Sequence, residues 1–277
     1  MAGHHTRSNS LPLRPHPLIP EFDEQLCRLT SEAVSSSTST LLGRRLRGLQ
    51  DLHDCIDRLL LLPLNQEAIS QDQKCVDQIL DGSLRLLGVC NIAKDALLQT
   101  KESTQQLQSV LRRKRGGATD LSSEVKKFLN SRKVMKKTSH KAIANLKCIS
   151  CKGYKDQAET LEIVKMLREV EAVTICVFES LLSSISAPKS GGWSLISNMM
   201  QPKRVEEKSQ LNEFAMVDAA LEYFLNKLKK SDNLHAGSAQ NQLTKLELCV
   251  EDLEECTESL FRRMLKTRVS LLNILNH

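Results

Sequence analysis

Beyond residue 40, apolar residues recur at three- and four-residue steps along most of the chain, and that spacing predicts helices. Leu42, Leu46, Leu49, Ile56, Leu59 and Leu60 carry the first stripe, with His53 completing it and Arg44, Arg45, Asp51, Asp54 and Asp57 between. Pro63 removes a backbone donor and disfavours helical geometry at Leu62, which predicts a hinge. Asn65 is placed to cap the next helix, with Glu67 in its first turn. The stripe then continues through Val76, Ile79, Leu80, Leu86, Leu87, Cys90, Ala93, Leu97, Leu107, Val110 and Leu111. Unbroken, residues 66–115 would span ~75 Å at ~1.5 Å per residue. Gly82 and Gly88 each weaken such a helix by ~1 kcal/mol relative to Ala, so a bend or break is expected there.

Gly116-Gly117 ends this helix, and Asp120 is a cap for a third whose apolar face holds Leu121, Val125, Phe128, Met135, Ile143, Leu146 and Ile149. A fourth carries Leu161, Val164, Leu167, Thr174, Val177, Phe178, Leu181 and Ile185 until Pro188 and Gly191-Gly192 stop it. Trp193 to Met200 reads as one short helix closed by Pro202, and Leu211, Phe214, Val217, Leu221, Phe224 and Leu228 mark a fifth main helix. The last helix places Leu246, Val250, Leu253, Thr257, Leu260, Met264, Thr267, Leu271 and Ile274 at alternating four- and three-residue steps, which is coiled-coil spacing. Two Thr weaken that seam and favour an intramolecular bundle over a free dimer. The expected fold is an all-α antiparallel multi-helix bundle with long helices over residues 41–277.

Residues 1–40 read as a disordered Ser/Pro-rich tail, because Pro12, Pro15, Pro17 and Pro20 oppose a regular helix and Ser35–Thr40 is polar low complexity. Within it, Arg7-Ser8-Asn9-Ser10-Leu11-Pro12 resembles a phosphoserine docking motif for 14-3-3 proteins. Arg7 sits where a basophilic kinase reads it, Ser10 is the phosphosite and Pro12 completes the motif. Glu21, Asp23 and Glu24 count against a transit peptide.

Composition supports helices over sheet: aromatics are 3%, and Gly and Pro number only 11 and 7. Nine scattered Cys without a secretory signal imply reduced thiols and an intracellular, cytoplasmic setting. No eighteen-residue apolar window is present, so a membrane span is not expected. The net charge of +6 hides an asymmetry, since residues 101–155 hold 15 Lys or Arg against 3 Asp or Glu. Arg112, Arg113, Lys114, Arg115, Lys126, Lys127, Lys133, Lys136 and Lys137 are therefore candidate contacts for an anionic membrane surface, within a basic segment spanning residues 112–147. Nucleic acid is disfavoured because Phe128 lies on the apolar face and leaves only Tyr154 to stack bases. The competing expectation is internal neutralisation, with Glu247, Glu251, Asp252, Glu254, Glu255 and Glu258 of the last helix lying beside the basic one.

No constellation carries chemistry. Cys148 and Cys151 have the spacing of half a zinc site, but a structural site needs four ligands and only His140 is nearby. His53 reads as a partly buried histidine hydrogen-bonded to a neighbour, with no nucleophile signature beside it. No Gly loop has a strand–loop–helix context. The residues predict no catalytic residue, no cofactor and no metal.

Specific words complete the picture. Leu52-His53-Asp54, Leu59 to Pro63, Leu80-Asp81-Gly82-Ser83-Leu84-Arg85-Leu86-Leu87 and Leu111-Arg112-Arg113-Lys114 occur in that order. Glu171-Ala172-Val173-Thr174, Trp193-Ser194-Leu195-Ile196 and Arg268-Val269-Ser270-Leu271-Leu272-Asn273-Ile274-Leu275 follow. Together they closely resemble the plant Bypass-like family, a plant domain of unknown function. The resemblance implies a helical plant protein without catalytic activity, linked to root and shoot development, and it carries over no catalytic residue; the expected role is that of a non-enzymatic regulatory or protein-interaction protein.

Overall fold

The leucine stripes close on one another into a single apolar interior. The computed structural model describes residues 16–31, 39–113, 118–150, 161–186, 212–228 and 236–276, and among these it contains eight helices and no strand. In chain order they are α1 (Leu18–Ser31), α2 (Ser39–Leu60), α3 (Pro63–Gln71), α4 (Gln73–Arg113), α5 (Ala118–Ser150), α6 (Glu162–Ser186), α7 (Glu213–Leu228) and α8 (Ala236–Asn276). One buried cluster takes side chains from all eight, from Phe22 of α1 to Leu271 of α8. The segment around Trp193–Met200 lies outside the described residues.

The long helix α8 packs against α4, α2 and α7, and α6 packs against α5, α4 and α2. Cross-helix pairs fix the directions. Lys94 meets Glu258, Lys101 meets Glu254 and Arg268 meets Ser83, so α4 and α8 run antiparallel. Arg47 meets Asp252, Gln50 the Cys256 carbonyl and Asp54 Arg263, so α2 and α8 run parallel. The heptad positions from Leu246 to Leu271 are buried within this one chain, as an intramolecular seam requires.

Pro63 behaves as expected: Leu62 is extended (φ −74°, ψ 128°) and Pro63 starts α3. The caps differ from expectation. Asn65 does not cap α3; its side chain instead donates back to the Leu59 carbonyl at 2.8 Å, and Gln66 does the same to Leu60 at 3.1 Å. These bonds supply donors to carbonyls at the end of α2, of which that of Leu59 also accepts the Leu62 N–H at 3.2 Å. The break also falls elsewhere than expected. α4 runs 41 residues straight through Gly82 and Gly88, and the interruption is at Asp72. There Asp72 Oδ1 accepts the Cys75 N–H at 3.2 Å and caps α4. Gly82 is a packing site: a Cβ on it would lie 1.9 Å from Glu171 Oε1, so the missing side chain is what lets the α6 carboxylate sit against α4. Likewise α5 begins at Ala118, two residues ahead of the expected Asp120 cap.

The tail expectation is corrected for residues 18–31, which form α1, while residues 1–15 and 32–38 lie outside the described residues. Pro20 stands in the first turn of α1, where its missing N–H would have had no helical partner. Phe22 and Leu29 then bury against the bundle, and that tertiary burial outweighs the breaker-rich composition.

Candidate functional site

The basic segment forms α5, and its period separates two faces. Leu121, Val125, Phe128, Arg132, Met135, Ser139, Ala142 and Leu146 are buried. Lys126, Lys127, Lys133, Lys137, Lys141 and Lys147 are exposed on the other side. Of these only Lys127 has an ion pair among the described residues, with Glu124 one turn away at 2.7 Å. Lys136 leaves the candidate surface, because its ammonium is held by Asp218 of α7 at 2.7 Å. Arg112 and Arg113 are exposed at the end of α4, where Arg112 donates to Gln108 Oε1 and Arg113 to Ser109. Lys114 and Arg115 lie outside the described residues, as do Arg7, Ser10 and Pro12, Cys151 and the side chain of Cys148.

Among the described residues, no ion pair joins the last helix to the lysines of α5. Its acids turn to other partners: Glu258 to Lys94, Glu251 and Glu254 to Lys101, Glu247 to Gln105 and Gln108, and Asp252 to Arg47. These partners belong to α4 and α2, the helices against which α8 buries its apolar seam. Once the seam chooses its neighbours, these flanking acids pair with α4 and α2. The lysine face of α5 is left without them.

Sequence reasoning missed Arg132, which is only 1% exposed. Its Nε donates to Asp218 Oδ1 at 3.2 Å and its Nη2 to the Ile185 carbonyl at 2.9 Å, with the guanidinium 5.1 Å from the Phe214 ring centroid. The available signal was its position four residues after Phe128 and three before Met135, a charge on an apolar stripe. This site locks α5 to α6 and α7; it is walled off from solvent.

A second polar cluster lies where α2, α4, α6 and α8 meet around a partly open pocket of about 40 Å³ lined by His53, Ser83, Glu171, Thr174, Thr267 and Arg268 among apolar neighbours. That volume admits about three or four waters at roughly 10–15 Å³ each. His53 is 6% exposed and bonds Thr267 Oγ1 through Nδ1 at 3.3 Å, as expected of a buried histidine with a neighbour. The Thr267 hydroxyl proton is directed at acceptors, Asp57 Oδ1 at 2.7 Å and the Arg263 carbonyl at 3.1 Å. Its oxygen therefore accepts from His53, which places the ring proton on Nδ1. Burial, reinforced by the nearby Arg263 and opposed by Asp54, pushes the His53 pKa down to about 4, so the ring is neutral.

Among the described residues no group of His, Cys, Asp and Glu is arranged to hold a metal ion. Burial pushes the Cys90 and Cys249 thiols up to about 12, away from reactive thiolate character. No described helix is long and apolar enough to cross a membrane.

These features define an all-α bundle with a cationic outer helix, a buried Arg132–Asp218 pair and a polar pocket between helices. A family model described as Protein BPS1 matches residues 45–274, most of the chain, and the chain belongs to that family, the Bypass-like family of plants. Comparison with curated proteins and with solved structures returned no match.

Proposed function

We propose that this chain is a non-enzymatic interaction protein serving root and shoot development in plants, and that the lysine face of α5 is the surface it presents to an acidic protein partner. Family membership supports the developmental and non-catalytic parts of the reading. The observation that carries the surface is the exposed row Lys126, Lys133, Lys137, Lys141 and Lys147, which has no ion-pair partner among the described residues while the acids of α8 are used elsewhere. A photo-crosslinking residue at position 137 in the full chain, expressed in growing root, is expected to capture partners through acidic segments. Lys133→Glu with Lys141→Glu, the crosslinker kept at position 137, is expected to abolish that capture. Equal capture by the reversed face, or turnover of a metabolite by the purified chain, would remove the reading.

The membrane alternative has its own support. Large apolar anchors are nearly absent from the exposed side of α5, where Val134 is 54% exposed, and tight protein interfaces usually need such anchors. Adsorption to anionic lipid needs only charge. At ~1 kcal/mol per Lys near such a surface, reversing Lys126, Lys133 and Lys137 to Glu lowers binding to phosphatidylserine vesicles by about a hundredfold or more. Binding is expected to weaken steeply with added salt, and phosphatidylcholine vesicles are the control. Sedimentation that ignores salt and charge reversal would dismiss this alternative.

The tail adds a regulatory element to the proposal: phosphate on Ser10, with Arg7 and Pro12 flanking it, recruits a 14-3-3 protein. A Ser10→Ala chain is expected to lose 14-3-3 in a pull-down after kinase treatment. Undiminished recovery would dismiss the motif.

A further inference from the structure

α1 lies across α2 and α6. Only Phe22 and Leu29 are fully buried on it, with Leu18, Ile19 and Leu26 partly covered. The polar attachments lie at the rim: Arg58 to Glu21, Arg28 to Asp51 at 3.7 Å, and the weak Cys55 thiol bond to the Leu18 carbonyl at 3.6 Å. Exposed ion pairs of this kind hold little. One contact works against docking. Glu169 of α6 has its carboxyl raised above the usual range by burial and then by the like charge of Asp23 on α1, with Lys165 opposing.

The floor under α1 is shaped by Gly48 of α2. A Cβ there would stand 3.0 Å from Leu29 Cδ2 and 3.5 Å from the Arg28 guanidinium, and the three nearest atoms it would meet belong to α1. Gly48 is thus a notch for the leucine of an overlying helix. The family match, residues 45–274, includes Gly48, most of α2 and all of α6 but begins after α1. The groove belongs to the shared domain, and its cover lies outside it.

We infer that α1 is a displaceable occupant, and that the α2–α6 groove is a docking site for an amphipathic helix of a partner protein. The occupant defines the chemistry such a helix needs. Phe22 and Leu29 are seven residues apart, two turns along one face. Glu21 beside the aromatic answers Arg58, and Arg28 beside the leucine answers Asp51. The partner helix therefore carries an aromatic and a leucine at that spacing, an acid before the first and a base before the second. At 14 residues α1 is near the length at which isolated helices are marginal, so release favours its unravelling and leaves the groove open. This surface is separate from the lysine face of α5, and either can fail without the other.

The test uses the full chain and a fluorescent synthetic peptide of residues 16–31 as the probe. Wild type, its groove already filled, is expected to bind the peptide at least tenfold more weakly than a Phe22→Asp/Leu29→Asp chain. Adding Gly48→Leu to that chain is expected to remove the binding. In amide hydrogen exchange, α1 is expected to open at least a hundredfold more often than α8, and Glu169→Gln to slow that opening. Where the double Asp variant does not fold, Gly48→Leu alone decides: loss of protection confined to α1 supports the inference. Exchange of α1 and α8 at one common rate, uniform loss of protection in Gly48→Leu, or no gain in peptide binding by a folded double Asp variant would overturn it.

Discussion

Asp218→Ala is expected to destabilise the chain by about 3–5 kcal/mol, the usual cost of stripping a buried charge of its counter-ion. The substitution leaves the Arg132 guanidinium inside the bundle with only the Ile185 carbonyl and the Phe214 ring to face it. It also frees Lys136, which shares the same carboxylate. For a domain of this size each kcal/mol moves Tm by about 2–4 °C, so a fall of roughly 6–20 °C in a thermal melt is the expected reading. The paired change Arg132→Met with Asp218→Leu removes both charges and is expected to restore most of the loss, because apolar groups of similar volume need no counter-ion. With Arg132→Met and Asp218→Leu also measured singly, the pair completes a double-mutant cycle. A loss under about 1 kcal/mol for Asp218→Ala, set against that 3–5 kcal/mol expectation, would show that this pair does not hold α5 against α6 and α7.

Acid is the second large lever. His53 is neutral in the folded chain down to about pH 4, whereas an unfolded histidine takes up a proton near 6.5. Between those values the unfolded state binds more protons than the folded one. Stability therefore falls as pH drops from about 6.5 to about 4, by about 3 kcal/mol in all. His53→Asn keeps a side-chain N–H to offer Thr267 but has no titrating ring. The variant is expected to give a flatter stability profile across that window, measured by urea unfolding at half-unit steps. Identical slopes in the two chains would show that His53 reaches solvent more freely than its burial implies.

The elements themselves were legible wherever a stripe was long. The positions named for α2, α4, α6 and α8 bury, except Val110, Leu111, Leu161 and Ile274, which are only partly covered, because a strict three- and four-residue step leaves a helix one face to hide. Local rules failed where two segments compete for the same groups. Asn65 had the right residue type for a cap, yet its side chain turns backwards to the Leu59 carbonyl at the end of α2. Asp72 was an equally good cap and prevailed because the chain turns there. Gly82 predicts weakness by propensity, but its missing side chain makes room for Glu171. Arg132 lay in plain view on an apolar stripe, and only a partner distant in sequence, Asp218, explains why a charge is tolerated there.

Periodicity alone determined that this chain is helical, that leucine fills its interior and that positive charge gathers between residues 101 and 155. Those properties repeat within a few residues, so a short window contains all the information they need. Which helix lies against which was decided by the tertiary structure. Packing sent the acids of α8 to α2 and α4 and left the lysines of α5 exposed, and it gave the proline-rich segment before residue 31 a groove in which Phe22 and Leu29 could hold a helix. Burial free energy depends on surfaces brought together from distant parts of the chain, and a local pattern shows only one of the two.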